Sequence, residues 1–272
     1  MADIKSLEKK ATDIRIEVLK MIRKAGAGHI GGSFSSIDIL TALYFEVMNV
    51  DPNHPNWEDR DRFVLSKGHI AESLWVVLAN KGFIDKAELE TFSQFGTRLI
   101  GHPNNKVAGV EMNTGSLGHG LPIATGMAMA AKMDHKSYKT YTLMGDGELA
   151  EGSVWEAAMA ASHYKLDNLI AIIDCNGLQI SGTTDEVMNS GPLAEKWESF
   201  GWNVVTVNGH DIQQLVSALS GSAHIAGKPT LIIAKTIKTK GISFAENVPS
   251  WHHHVPTDEQ FELALKELEA MI

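Results

Sequence analysis

Cysteine is almost absent: Cys175 is the single one among 272 residues. That excludes an intrachain disulfide and a cysteine-based metal cluster. No apolar run approaches the ~20 residues that a membrane-spanning helix needs. The charged, periodic amino terminus, Met1-Ala-Asp-Ile-Lys-Ser-Leu-Glu-Lys-Lys, carries no apolar signal core, so a cytoplasmic protein that touches no membrane is expected. Basic residues are the minority, with 24 Lys and Arg against 33 Asp and Glu and a formal net charge of −9. Such a balance argues against a nucleic-acid surface and for a soluble, self-repelling chain. Phosphate ligands stay compatible with it, because helix ends and a few lysines can hold them. No Gly-x-Gly-x-x-Gly follows the first expected strand, which makes a nicotinamide-binding fold the weakest reading. Repeats, low-complexity tracts and linkers are absent too. An apolar content of 44% suits one large α/β domain over 1–272 with a well-buried core.

What is present is periodicity of two kinds. Residues 3–25 set Ile4, Leu7, Ala11, Ile14, Val18, Met21 and Ile22 at helical spacing, giving an amphipathic helix. Further helices are expected over 36–48, 69–81, 117–132, 148–164, 192–200, 211–222 and 258–271. Strands are expected at 62–65, 140–144, 168–174, 203–207 and 230–234, the last closing the sheet. Strands alternating with helices indicate a doubly wound, mostly parallel sheet with helices on both faces. Two helices, around Gly126-Met-Ala-Met-Ala-Ala and Trp155-Glu-Ala-Ala-Met-Ala-Ala, are small and apolar around most of their circumference. Burial on the sheet and close packing against another subunit both account for that.

The most informative run is Gly145-Asp146-Gly147, then the expected helix, the apolar strand, and Asp174-Cys-Asn176-Gly-Leu178. A strand–helix–strand crossover should be right-handed with its two strands parallel. It puts Asp146 just past one strand and Asn176 just past the next, at the edge where open α/β sheets bind ligands. A carboxylate, an amide oxygen and the Leu178 carbonyl form a hard-oxygen set suited to Mg²⁺ or Ca²⁺. Gly147 removes the side chain where backbone must approach a diphosphate, and the following helix points its N-terminus at that anion. The bland alternative is a sharp turn with a solvated Asp; three candidate ligands at matching strand ends argue against it.

This run resembles the thiamine-diphosphate motif. Its surroundings, Glu148-Leu-Ala-Glu-Gly-Ser-Val-Trp-Glu and Tyr164-Lys-Leu-Asp-Asn-Leu, look like transketolase. The resemblance runs over nearly the whole chain but covers only the amino-terminal, diphosphate-binding part of an ordinary transketolase, as in the N-terminal subunit of a split enzyme. It implies thiamine diphosphate and Mg²⁺, with Ca²⁺ or Mn²⁺ as substitutes, on the metal ligands Asp146, Asn176 and Leu178. Thr114-Gly-Ser-Leu-Gly-His-Gly resembles the stretch that contacts the cofactor through Gly115, Ser116 and Leu117, although His119 stands where the family commonly has Gln. Lys238 matches a lysine near the diphosphate, and Gly147 and Asn176 join the cofactor set. Of 12 histidines, His29, His69, His102 and His252 match positions that line the thiazolium and the first carbons of the donor sugar. His69 and His252 count as cofactor contacts as well. Imidazoles suit such a place because they hydrogen-bond hydroxyls and shuttle protons near neutral pH. Gly32 falls where some relatives have a cofactor-facing Ser. His252-His253-His254 invites a transition-metal reading, but adjacent side chains point in different directions, and that reading is rejected. Transketolases usually continue with Gly after this first His, so His253 and His254 depart from the family.

In transketolases the glutamate that activates the cofactor's aminopyrimidine belongs to the following, pyrimidine-binding domain. The aromatic stacking residue and most sugar-phosphate ligands lie there too. The resemblance therefore implies a C-terminal transketolase subunit that supplies that domain and its catalytic Glu, in an α2β2 assembly with sites between unlike chains. The expected reaction is transfer of a two-carbon ketol unit from a ketose phosphate to an aldose phosphate. Another thiamine enzyme, deoxyxylulose-phosphate synthase-like or 2-oxo-acid dehydrogenase-like, and a non-catalytic cofactor-binding relic are the rivals. The four matched histidines favour ketol transfer.

Overall fold

Five strands form one parallel sheet in the computed structural model of the chain, which describes residues 3–221 and 224–272. They are β1 (Arg62–Leu65), β2 (Thr140–Gly145), β3 (Leu169–Cys175), β4 (Asn203–Asn208) and β5 (Thr230–Lys235). Their spatial order is β1-β2-β3-β5-β4. One row across the sheet runs Leu65, Leu143, Ile172, Ile232 and Val205. The helices are α1 (Ile4–Ala25), α2 (Ile30–Ala42), α3 (Ala71–Lys81), α4 (Gly120–Met133), α5 (Gly152–His163), α6 (Thr184–Val187), α7 (Leu193–Ser199), α8 (Ile212–Leu219) and α9 (Asp258–Glu269).

The strands read as unbroken apolar runs because both of their faces are covered. Alternate residues point to opposite layers. Ile170 and Ile172 of β3 pack with α1, α2, α3, α8 and α9, whereas Leu169, Ala171 and Ile173 pack with α4, α5 and α7. Each fully buried Ile contributes about 1.5–3 kcal/mol of transfer free energy, so the middle strands anchor both layers. Among the described residues, no helix is long and apolar enough to cross a membrane.

The expected doubly wound parallel sheet is what forms, with differences in its details. The helix expected from residue 36 begins at Ile30, directly after His29, and all of its residues are buried. Gly31, Gly32 and three serines are weak helix formers, so packing decides here. A Cβ on Gly31 would stand 2.7 Å from Trp251 O, and one on Gly32 would stand 3.0 Å from Ile70 Cγ2. The helix expected over 148–164 is split. A single turn at Gly147–Ala150 ends at Glu151 (φ −76°, ψ 127°) before α5 begins, because Glu148 turns inward to bind backbone. Strand 230–234 does not close the sheet but lies inside it, between β3 and β4. The helix expected over 211–222 appears as α8; Ser222 lies outside the described residues.

Chain direction opens the crevice. From β3 the chain runs to α7 on one face, and from β5 it runs to α9 on the other. Adjacent strands whose connections diverge leave a gap beyond their carboxyl ends.

Candidate active site

A cleft of about 390 Å³ fills that gap, lined from the ends of β1, β2, β3 and β5. Asp146 follows β2, Asn176 and Leu178 follow β3, and Lys238 follows β5; Lys67 and His69 follow β1. Gly115 and Leu117 of the glycine loop, His29 at the head of α2, His252, and Gln179 after β3 add to the lining.

Asp146 is buried, at 5% exposure. Its Oδ1 accepts from Gly147 N at 2.9 Å and its Oδ2 from Gly177 N at 2.6 Å. Among the described residues it forms no ion pair. Burial, with the Asp174 carboxylate adding to it, pushes its pKa up to about 6. Asn176 Oδ1 accepts from Leu178 N at 3.1 Å, which folds the loop back on itself just past β3. The Leu178 carbonyl accepts from Lys238 Nζ at 3.4 Å. A buried carboxylate without a counter-ion, beside an amide oxygen and a carbonyl, is a donor set that fits a hard divalent cation. Such an ion would hold Asp146 ionised. Gly145 leaves room for an anion: nothing lies within 4 Å of where a Cβ on it would stand.

Beneath the cleft, Lys67 and Asp174 form an ion pair with 3% and 0% of their side chains exposed. Asp174 also accepts from Ser35 Oγ at 2.6 Å, Ser36 Oγ at 3.1 Å and Asn176 Nδ2 at 3.3 Å, and from Thr236 Oγ1. Burial pushes the Asp174 carboxyl up, but the Lys67 ammonium and these donors outweigh it and hold the group below its usual range. One carboxylate thereby ties together β1, α2, β3 and the segment after β5. Glu148 does the same on the other side. It accepts from Gly118 N at 2.7 Å, Gly145 N at 3.1 Å and Ser66 Oγ. Gly118, at φ +80°, makes the sharp turn this requires. These bonds keep 117–119 out of the helix, so α4 starts at Gly120 instead of the expected 117.

Three of the four expected histidines meet. Ring centroids of His29 and His69 are 5.2 Å apart, His29 and His252 5.6 Å, and His69 and His252 5.3 Å, the last pair stacked. Burial, followed by neighbouring imidazoles, lowers His29 to about 4. Burial and the nearby Lys238 ammonium lower His252 to about 3, and burial with Lys67 takes His69 well below its usual value. All three rings are thus neutral at pH 7. Lys238, itself lowered to about 8 by burial and Lys67, donates to His252 Nδ1 at 3.0 Å. That bond puts the His252 proton on Nε2. His102 stands apart, exposed, its ring laid against Gly115, where a Cβ would come 2.8 Å from His102 Cδ2.

Ser116 does not line the cleft; its hydroxyl pairs with His119 Nδ1 at 3.2 Å, and that ring also meets Leu117 O at 3.0 Å. The consecutive rings of 252–254 diverge, with His253 on His29 at 4.6 Å and His254 on Trp251 at 4.2 Å. They cannot share one ion.

The transketolase thiamine diphosphate binding domain matches residues 6–267. This chain belongs to the transketolase family. It is 50% identical over 269 residues to one subunit of the apulose-4-phosphate transketolase of Phocaeicola vulgatus, covering 99% of this chain and 96% of that one. It is 45% identical over 264 residues to one subunit of the 6-deoxy-6-sulfo-D-fructose transketolase of Clostridium sp., covering 97% and 96%. The crystal structure of Campylobacter jejuni transketolase superposes with a TM-score of 0.93 at 34% identity, covering 98% of this chain and 43% of that one. Relative to that full transketolase, then, this chain spans less than half the length.

Three residues central to this transketolase site were unassigned on sequence grounds: Lys67, Glu148 and Asp174. The available signals were an Asp ending an otherwise apolar strand and a Lys beside Gly68-His69. Both are isolated charges at strand ends, where a charge is buried only with a partner. Small-residue helices α4 and α5 bury one side each, through Ala124, Ala128, Ala157 and Ala161. Gly126, Met159 and Tyr164 stay exposed on the other.

Proposed function

We propose that this chain is the diphosphate- and metal-binding subunit of a two-chain, cytoplasmic transketolase acting on sugar phosphates, with residues 1–272 forming the diphosphate-side domain. The observation that carries the reading is one cleft lined by Asp146, Asn176, Leu178, Lys238 and three mutually contacting imidazoles. Relatives matched along nearly their full length are named as transketolase subunits, which supports a partner chain. In this reading that chain brings the pyrimidine domain and its catalytic Glu, in an α2β2 assembly. Thiamine diphosphate, when bound, supplies the nucleophilic carbon that carries the two-carbon unit.

In this reading Asp146, Asn176 Oδ1 and the Leu178 carbonyl hold Mg²⁺, with Ca²⁺ or Mn²⁺ able to replace it. Gly147, Gly115, Ser116 and Leu117 let backbone approach the cofactor, and Lys238 offsets the diphosphate charge. Lys238 has a second task, since its bond to Nδ1 of His252 presents Nε2–H as a donor to a substrate oxygen. His29 and His69 are neutral, so each offers one donor and one acceptor and can take or give a proton at a donor hydroxyl. His102, laid against Gly115, joins them beside the first carbons of the donor sugar in this reading.

Reconstitution tests the reading. The purified chain alone should bind the cofactor weakly and show no ketol transfer, and adding a pyrimidine-domain transketolase subunit should restore turnover that saturates near one-to-one. Robust transfer by this chain alone, freed of contaminating transketolase, would overturn it.

A further inference from the structure

Gln179 holds a buried polar group that nothing among the described residues satisfies. Its Nε2 is shielded from solvent and has no hydrogen-bond partner among the described residues, and the residue lines the same cleft as Asp146, Asn176 and Lys238. A buried N–H without an acceptor costs about 1–3 kcal/mol, a penalty that an acceptor carried by a ligand removes. The Gln179 side chain covers the Cα face of Gly147, where a Cβ would stand 2.9 Å from Gln179 Cγ and 3.4 Å from Nε2, so the missing side chain is what lets the carboxamide sit beside this turn.

Its backbone is fixed on both sides. Gln179 N donates to Gly182 O at 2.8 Å, and Thr184 N donates to Gly177 O at 2.9 Å. Leu178 and Thr183 form an antiparallel bridge between them. A capping box, Thr183 with Glu186, then starts α6. The ribbon from 177 to 184 therefore presents Gln179 to the cleft from a rigid mount instead of a free surface loop.

We propose that Gln179 is a further diphosphate ligand, its Nε2–H donating to an oxygen of the anion that Gly147 receives. The inference rests on the cofactor reading above and extends it by one residue of this chain. A neutral donor is chemically apt beside Lys67 and Lys238, whose ammoniums already repel each other. A third cation would add to that repulsion, whereas an amide adds a directed bond at no charge cost.

The test is calorimetric titration of thiamine diphosphate, and separately inorganic pyrophosphate, into the full chain with Mg²⁺. Wild type is compared with Gln179→Met, Gln179→Glu and Asp146→Ala. Met keeps the volume and loses the donor; Glu keeps the shape and adds a charge that repels the anion. Gln179→Met should bind both ligands about tenfold or more weakly, ~1.4 kcal/mol, and Gln179→Glu more weakly still. In the ¹⁵N-labelled wild type, the Gln179 side-chain amide signals should shift on adding pyrophosphate, a readout that depends on no variant folding. Affinity of Gln179→Met within twofold of wild type, or an unmoved Gln179 amide at saturating pyrophosphate, overturns the inference. If Asp146→Ala still loses binding in that case, the cofactor reading survives alone. If Asp146→Ala also binds like wild type, both fall.

Discussion

Replacing Glu72 by Gln should make the chain more stable above neutral pH and leave it unchanged in mild acid. Glu72 sits in α3 with no exposure at all. Its Oε1 accepts the backbone N–H of His29, and a Cβ on Gly28, at φ +154°, would come 3.0 Å from that oxygen. Among the described residues Oε2 is buried without a partner and no cation pairs with the group. Burial alone dominates, pushing the carboxyl from 4.5 to about 7. A raised acid pKa means that the folded chain holds the proton more tightly than the unfolded one. Stability from this group is therefore complete below pH 4.5 and is lost as pH rises toward about 7. A difference of roughly 2.5 units at 1.36 kcal/mol each gives about 3 kcal/mol. Gln keeps the acceptor for His29 N–H and places an N–H beside the Ser33 hydroxyl without any charge to bury. At about 2–4 °C per kcal/mol for large domains, the variant should melt ~6–12 °C above wild type at pH 8 and level with it near pH 4.5. Asp146 and Glu148 also titrate upward, but they do so in both proteins and cancel in the difference. Melting followed by circular dichroism across pH 4.5–8 is the assay. Parallel curves for the two proteins would refute a raised Glu72 pKa.

Asp146→Ala should abolish Mg²⁺-dependent cofactor binding while the chain still folds, because the residue lies at a strand end and not in the core; unchanged affinity by calorimetry would remove the metal assignment. His29→Ala or His252→Ala, assayed with the partner subunit, should slow ketol transfer by about 10²-fold or more with cofactor binding largely kept. Wild-type rates in both variants would withdraw their catalytic role.

All five strands were legible in the sequence to within a residue or two, because strands covered on both faces leave continuous apolar runs that end abruptly at polar residues. Asp146 and Asn176 stood out for that reason, as the polar residues just beyond such ends. The start of α2 was not legible, since Gly31 and Gly32 mark close approach to Trp251 and Ile70, a tertiary fact, while local propensity says loop. Nor was the position of β5, because strand order depends on which layer each crossover covers and no single strand carries that information. The glycine loop was visible as glycines, but Glu148, which pins it, looked like one more helical glutamate. Lys67 with Asp174 and Glu72 with His29 join residues far apart in the chain, and no pattern within one window announces such partners. Gln179 was invisible for a related reason, as its meaning lies in a bond it does not make.

The interior position of β5 also sets an order on assembly. Strand β4 has one neighbour in the sheet, and that neighbour is β5. During synthesis β4 emerges first and has no edge to join until β5 follows, then inserts between it and β3. Thr236 and Lys238, just beyond β5, reach Asp174, His252 and Leu178 only after that insertion. The floor of the cleft is thus among the last parts of the chain to become structured, and a nascent chain stopped before residue 230 has neither a finished sheet nor a place for an anion. Closing long loops before any contact rewards them is slow. Ligands that bind the cleft should for that reason trap the completed sheet and protect β4, a strand they do not touch, from hydrogen exchange.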